Sequence, residues 1–118
     1  MRKNIKIGII GLGYWGPNLL RNFQSSKKCK VTYLCDKNKK VLNSIKINNP
    51  SITTTVNYKR LIQSSNVDAV VISTPIKSHY KIALECIKYG KHIFVEKPIT
   101  DSIKTAKEIV NKAKNKKL

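Results

Sequence analysis

The sequence predicts an α/β domain built on a parallel, doubly wound sheet, and three observations predict it. Apolar strand-like runs alternate with helical patterns along the whole 118 residues. The first run, Ile5-Lys6-Ile7-Gly8-Ile9-Ile10, breaks into a glycine loop, Gly11-Leu12-Gly13-Tyr14-Trp15-Gly16, that opens a helix-like segment. A second β-rich run, Val31-Thr32-Tyr33-Leu34-Cys35, ends on Asp36, twenty residues after Gly16. Strands joined by helical crossovers pair in parallel with right-handed connections.

The elements follow in order. A strand over residues 5–10 leads through the glycine loop into a helix over 17–25, with Pro17 in the first turn, where its missing N–H has no partner to lose. After the strand over 31–35, a helix over 38–47 turns Val41, Leu42 and Ile45 inward, and Asn48-Asn49-Pro50 stops it. A short strand over 52–55 and a short helix over 58–63 come next. The apolar run over 67–72 carries one acid, Asp68, near its start, as in a strand covered on both faces. The helix over 78–89 buries Ile82, Ala83, Cys86 and Ile87 and closes on Gly90. His92-Ile93-Phe94-Val95 is the fifth strand. Thr100 or Ser102 caps a last helix with Ile103, Ala106, Ile109, Val110 and Ala113 on one face, and its polar tail over 112–117 is expected to fray. No linker, repeat or low-complexity block divides the chain, so residues 1–118 read as one domain.

The glycine loop has a mechanical reading. Gly11 lets the chain turn sharply out of the strand, Gly13 lets backbone approach a pyrophosphate, and Gly16 lets the helix pack close to the strand. The helix N-terminus offers N–H groups and partial positive charge to phosphates. Asp36 is placed to accept hydrogen bonds from the hydroxyls of an adenosine ribose, and it repels a 2′-phosphate. Lys37, Lys39 and Lys40 soften that repulsion, so NAD is favoured, with NADP in second place.

Composition bounds the alternatives. The formal charge of +18 raises nucleic-acid binding, yet the lysines are spread along the chain and only three of the 24 basic residues are Arg, so no specific nucleic-acid partner is expected. The charge still attracts anionic ligands at long range. No apolar run approaches a membrane span, and the short stretch after Arg2 and Lys3, interrupted by Lys6, reads as a strand rather than a signal peptide. Cys29, Cys35 and Cys86 have no C-x-x-C spacing and read as reduced thiols of a cytoplasmic protein. No His/Cys/Asp/Glu set has metal-ligand spacing.

Two further segments sharpen the reading. They are Val70-Val71-Ile72-Ser73-Thr74-Pro75 with His79, and Gly90-Lys91-His92-Ile93-Phe94-Val95-Glu96-Lys97-Pro98. With the glycine loop, they make the chain resemble the N-terminal NAD(P)-binding Rossmann domain of the glucose–fructose oxidoreductase / inositol dehydrogenase (Gfo/Idh/MocA) family. The resemblance covers essentially the whole chain, and Glu-Lys-Pro after a strand is its most distinctive part. The form Gly13-Tyr14-Trp15-Gly16-Pro17-Asn18 resembles a branch associated with sugar or nucleotide-sugar dehydrogenation. The resemblance implies that Ser73, Thr74 and Pro75 lie against the nicotinamide half of the cofactor with His79 close by. It implies that Glu96 contacts the nicotinamide-side ribose and that Lys97 is the catalytic residue at the substrate hydroxyl, with Lys97-Pro98 a cis peptide as in relatives. It also implies hydride transfer between the nicotinamide and a sugar, nucleotide-sugar or cyclitol hydroxyl.

Family members are considerably longer. A second, α+β domain supplies most of their substrate pocket and oligomer interface, so the resemblance implies that this chain lacks that domain and a sixth strand, is inactive alone, and belongs to a homo-oligomer in full-length form. The fifth strand is then an exposed edge. Taken without the family, His79 simply opens a helix, His92 starts a strand, and Glu96 and Lys97 form a solvated pair. Tyr14 and Trp15 are either cofactor contacts or core and interface residues. A stand-alone nucleotide-binding module that completes its site with a partner chain is the alternative function.

Overall fold

A computed structural model describes residues 4–13 and 15–118. Five strands, β1 (Ile5–Ile10), β2 (Cys29–Cys35), β3 (Thr53–Thr55), β4 (Ala69–Ile72) and β5 (His92–Val95), alternate with five helices. The helices are α1 (Gly16–Ser25), α2 (Lys39–Asn48), α3 (Tyr58–Gln63), α4 (His79–Lys88) and α5 (Ile103–Asn115). The sheet runs β3-β2-β1-β4-β5 with every pair parallel. The chain therefore moves outward from β1 to β3, returns to place β4 on the other side of β1, and leaves a crevice at that reversal.

Each face of the sheet has its own core. Ile7, Ile9, Leu20, Val31, Leu34 and Leu42 form one cluster, with Leu19 and Phe23 of α1 packed on it. Ile10, Leu61, Ile62, Val70, Ile72, Ile82, Cys86 and Ile109 form the other, beneath α3, α4 and α5. β4 is buried on both sides, as its unbroken apolar run predicts. The strand is shorter than expected at its start. Val67 donates to the Ser64 carbonyl in a turn, and Asp68 binds the edge of β1 through Lys6 N–H to Oδ2 at 2.8 Å.

Caps fix the helix boundaries. Asn38 Oδ1 accepts from Lys40 N–H ahead of α2, and Asn57 does the same for Lys59 ahead of α3. Gly90 takes φ +73° and closes α4, with Lys91 N–H returning to the Cys86 carbonyl at 2.9 Å. Of the two candidate caps for α5, Ser102 is the one used, its Oγ accepting from Thr105 N–H, while buried Thr100 donates to the Ser102 carbonyl.

Two expectations for α5 are corrected. Its tail does not fray: the helix continues to Asn115, Leu118 N–H returns to the Ala113 carbonyl, and Leu118 packs on the core. The Lys116 ammonium donates to the last carbonyls of α4, Ile87 and Lys88, each at 3.2 Å. Nor do the five apolar residues form one buried face. Ile109 is buried, but Ile103 and Val110 are exposed. β5 is the edge strand that the sequence anticipates.

Candidate functional site

The site is built where β1 and β4 part. Gly11 carries φ +94°, and a Cβ there would lie 2.6 Å from the Ser73 carbonyl oxygen, so only glycine allows the first turn. A Cβ on Gly16 would lie 2.6 Å from the Gly11 carbonyl oxygen, so the third glycine lets α1 sit directly on the loop. Gly13 differs from both. A Cβ there would meet nothing within 4 Å, so folding does not demand glycine at this position, and the space above the loop is open. α1 begins three residues after Gly13 with no side-chain cap and no acid in its first turn, which leaves the positive end of the helix beside the loop.

Asp36 holds the loop from the other side. Its Oδ2 accepts from Leu12 N–H at 2.7 Å and its Oδ1 from Asn38 N–H at 2.8 Å. Each carboxylate oxygen has further lone pairs, so the group can order the loop and still accept from two ligand hydroxyls.

These parts enclose a cleft of about 470 Å³. Gly11, Gly13, Asp36, Ser73, Thr74 and Pro75 line it, bringing together six of the residues singled out from the sequence. Gly16 backs the loop. Trp15 is 55% exposed beside it. Tyr14 lies outside the described residues. The size, the open space at Gly13, the positive helix end and the carboxylate fit a dinucleotide bound with its pyrophosphate over the loop and a ribose at Asp36.

The cleft also has walls that sequence reasoning missed. Val56, Tyr58, Lys77, Ser78 and Ile82 line it, with Lys37 beside Asp36. Only Lys37 carried a signal, through its place next to Asp36. Tyr58 and Ile82 arrive from α3 and α4 by tertiary packing alone. Burial pushes the Tyr58 hydroxyl up to about 12, with the Glu85 carboxylate adding to the effect. Burial, then Asp36, pushes the Cys35 thiol up to about 11, so this cleft residue is an inert thiol at neutral pH.

At the far end of the cleft two segments leave the sheet side by side. The loop after β4, Ser73-Thr74-Pro75, enters a 3-10 turn over Ile76–Ser78, whose last residue, Ser78, the sequence reading placed at the start of the following helix. Ser78 Oγ lies 2.6 Å from Thr74 Oγ1 and 2.7 Å from the Pro75 carbonyl. The turn after β5 begins with Glu96, whose N–H extends the ladder to the Ile72 carbonyl. Glu96 Oε2 accepts from Lys97 N–H at 3.1 Å. Lys97 is exposed, and the Lys97-Pro98 bond is cis, as anticipated. Neither Glu96 nor Lys97 lines the cleft itself. His79, expected close to the cofactor, is 2% exposed and lies behind the loop, with both ring nitrogens against backbone carbonyls.

No described helix is long and apolar enough to cross a membrane, and no group of three His, Cys, Asp or Glu among the described residues could hold a metal ion.

Comparison with known proteins agrees with this geometry. Residues 5–118 match the Gfo/Idh/MocA family model, described as an oxidoreductase family with an NAD-binding Rossmann fold. A Solibacter usitatus protein named as a glycosyl hydrolase family 109 protein is 34% identical over 91% of this chain and 27% of its own length. An uncharacterized oxidoreductase of Escherichia coli, YdgJ, is 30% identical over 98% of this chain and 33% of its own. Among solved structures, myo-inositol 2-dehydrogenase from Lactobacillus plantarum superposes with a TM-score of 0.86 at 27% identity, covering 96% of this chain and 34% of that one. Apo scyllo-inositol dehydrogenase from Lactobacillus casei gives 0.89 at 26%, covering 98% and 35%. The chain thus spans roughly a quarter to a third of the length of these relatives. A match over nearly the whole chain, on a sheet and glycine loop built as described, makes this chain an NAD(P)-binding Rossmann domain of the Gfo/Idh/MocA oxidoreductase family.

Proposed function

We propose that the chain is the cofactor-holding part of a cytoplasmic oxidoreductase that uses NAD, with NADP second, and acts on a hydroxyl of a sugar, nucleotide-sugar or cyclitol. The observation that carries the cofactor choice is Asp36, a carboxylate at the end of β2 and in the wall of the cleft. A 2′-phosphate beside it meets a like charge, which Lys37 and Lys77 in the same wall offset in part. Two inositol dehydrogenases among the similar structures support a polyol hydroxyl as the substrate class.

When bound, the nicotinamide supplies the hydride acceptor or donor. The chain's residues do the rest. The glycine loop and the start of α1 hold the pyrophosphate, and Asp36 holds the ribose. Ser73, Thr74 and Pro75 shape the wall on the nicotinamide side. Glu96, at the start of the turn that carries Lys97, contacts the nicotinamide-side ribose. Lys97 in its ammonium form stabilises negative charge growing on the substrate oxygen; in its neutral amine form it has the lone pair needed to accept the hydroxyl proton and relay it. The sugar-type substrate and the oligomer interface are met by parts of a longer protein, and no nucleic acid or membrane takes part.

Calorimetric titration of the folded chain with NAD and with NADP tests the reading. Tighter binding of NAD is the expected outcome. A folded sample that binds neither would overturn it and favour a module that completes its nucleotide site with a partner chain.

A further inference from the structure

His79 is an unusual residue for a fully buried position. It is 2% exposed, yet its Nε2 lies 2.8 Å from the Thr74 carbonyl oxygen and its Nδ1 lies 3.1 Å from the Pro98 carbonyl oxygen. A carbonyl oxygen only accepts, so each contact is a hydrogen bond when the facing nitrogen carries a proton. A neutral ring closes one side, and a ring protonated on both nitrogens closes both.

The two carbonyls belong to two neighbouring segments, only one of which lines the cleft. Thr74 lies in the loop after β4 and lines the cleft. Pro98 follows Lys97 in the turn after β5. The sheet holds these segments together only up to Glu96 N–H on the Ile72 carbonyl. Beyond that bond, no backbone hydrogen bond joins residues 73–75 to 97–99 among the described residues. His79 spans the gap from the first residue of α4, an element anchored in the core by Ile82, Ala83, Cys86 and Ile87. An apolar side chain would fill the same volume but donate to neither carbonyl.

We propose that His79 is a positioning residue: its imidazole straps the Thr74 loop to the Lys97-Pro98 turn and so sets where Lys97 stands relative to the nicotinamide end of the cleft. It touches neither cofactor nor substrate, and the inference rests on the cofactor site proposed above. The strap acts on one end of the cleft only. The glycine loop and Asp36 are held by Leu12, Cys35 and Asn38 instead, through bonds that do not involve His79.

That asymmetry provides the test. NAD and ADP-ribose, which lacks the nicotinamide, are titrated into the wild-type chain and into His79→Phe, His79→Asn and His79→Gln. Asn places a donor near the Nδ1 position and Gln near the Nε2 position. The expected result is that Phe weakens NAD about tenfold, toward the affinity of ADP-ribose, while ADP-ribose binding changes less than about twofold. Asn or Gln recovers part of the loss. Equal weakening of both ligands in all variants, or no weakening of either, overturns the strap. So does a wild type that binds NAD no better than ADP-ribose. A ligand-free readout separates this inference from the cofactor assignment and still decides if the Phe variant fails to fold. In the ¹H–¹⁵N spectrum of the wild-type imidazole, the strap requires a slowly exchanging ring N–H, and His79→Asn must shift the backbone signals of Thr74 and Lys97. A freely exchanging ring refutes the strap whether or not NAD binds; a protected ring in a chain that binds no nucleotide sustains the strap and removes only the cofactor reading.

Discussion

Asp36→Ala probes the cofactor preference directly, and the structure predicts a cost in stability first. The carboxylate accepts from Leu12 N–H at 2.7 Å and from Asn38 N–H at 2.8 Å. Leu12 is buried at 3% exposure, so water cannot readily replace the acceptor, and a hydrogen bond to a charged group in such a place is worth roughly 1.5–3 kcal/mol. Asn38 is exposed, and water takes over there at a cost of a few tenths of a kcal/mol at most. The variant should therefore lose about 2–3 kcal/mol. With an unfolding entropy of about 2.1 cal/mol/K per residue, 118 residues give a drop in Tm of roughly 10 °C. Asp36→Asn keeps one acceptor oxygen for Leu12 and should lose about half as much. Urea unfolding followed by far-UV circular dichroism measures both. A loss below about 0.5 kcal/mol for the alanine variant, the size of an ordinary surface change, would refute the argument that Asp36 orders the loop. The same bonds imply that NAD and NADP binding both weaken in Asp36→Ala, so the preference must be read from the ratio of their Kd values.

The glycines of the loop should separate folding from binding. Gly13→Ala should leave stability within about 0.5 kcal/mol, because its Cβ meets nothing within 4 Å, yet abolish measurable NAD binding; unchanged affinity by calorimetry would contradict a pyrophosphate over the loop. Gly11→Ala, with φ +94° and a Cβ 2.6 Å from the Ser73 carbonyl oxygen, should cost roughly 2–4 kcal/mol by thermal unfolding, and a smaller loss would mean that the turn is not built this way. Alkaline pH should destabilise the domain through Cys86, whose thiol burial pushes up from 9.0 to about 12. The folded thiol keeps its proton while the unfolded one gives it up, so this contribution is intact below pH 9 and drains away as pH rises toward 12. Cys86→Ala should flatten the fall in urea midpoint between pH 8 and 10.5, and parallel curves for variant and wild type would count against it.

Much of this molecule is legible in the chain because its determinants are local. Apolar run length, helical spacing and stop residues placed the five strands and five helices, with boundaries moving by a residue or two where caps decide them. The strand, glycine loop and helix of the Rossmann fold were legible because backbone conformation at a strand end imposes residue types at fixed spacing. What stayed hidden depends on contacts between distant segments. Periodicity marks an apolar face on α5 but does not say which of its residues meet the core, and Ile109 is buried while Ile103 and Val110 emerge exposed. The polar tail of α5 looked free, yet Lys116 and Leu118 have partners in α4 and the core. Gly11, Gly13 and Gly16 read alike as glycines of one motif, and only the neighbours that a Cβ would meet distinguish two demanded by the fold from one beside open space. His79 carries the same lesson: its sequence position put it beside the site, and packing turned it inward against two carbonyls nineteen and five residues away. The sequence by itself determined which segments become strands and helices and where a nucleotide can be held; the tertiary structure decided which side chains face that ligand and which hold its walls, because burial and hydrogen-bond partners come from segments brought together only by folding.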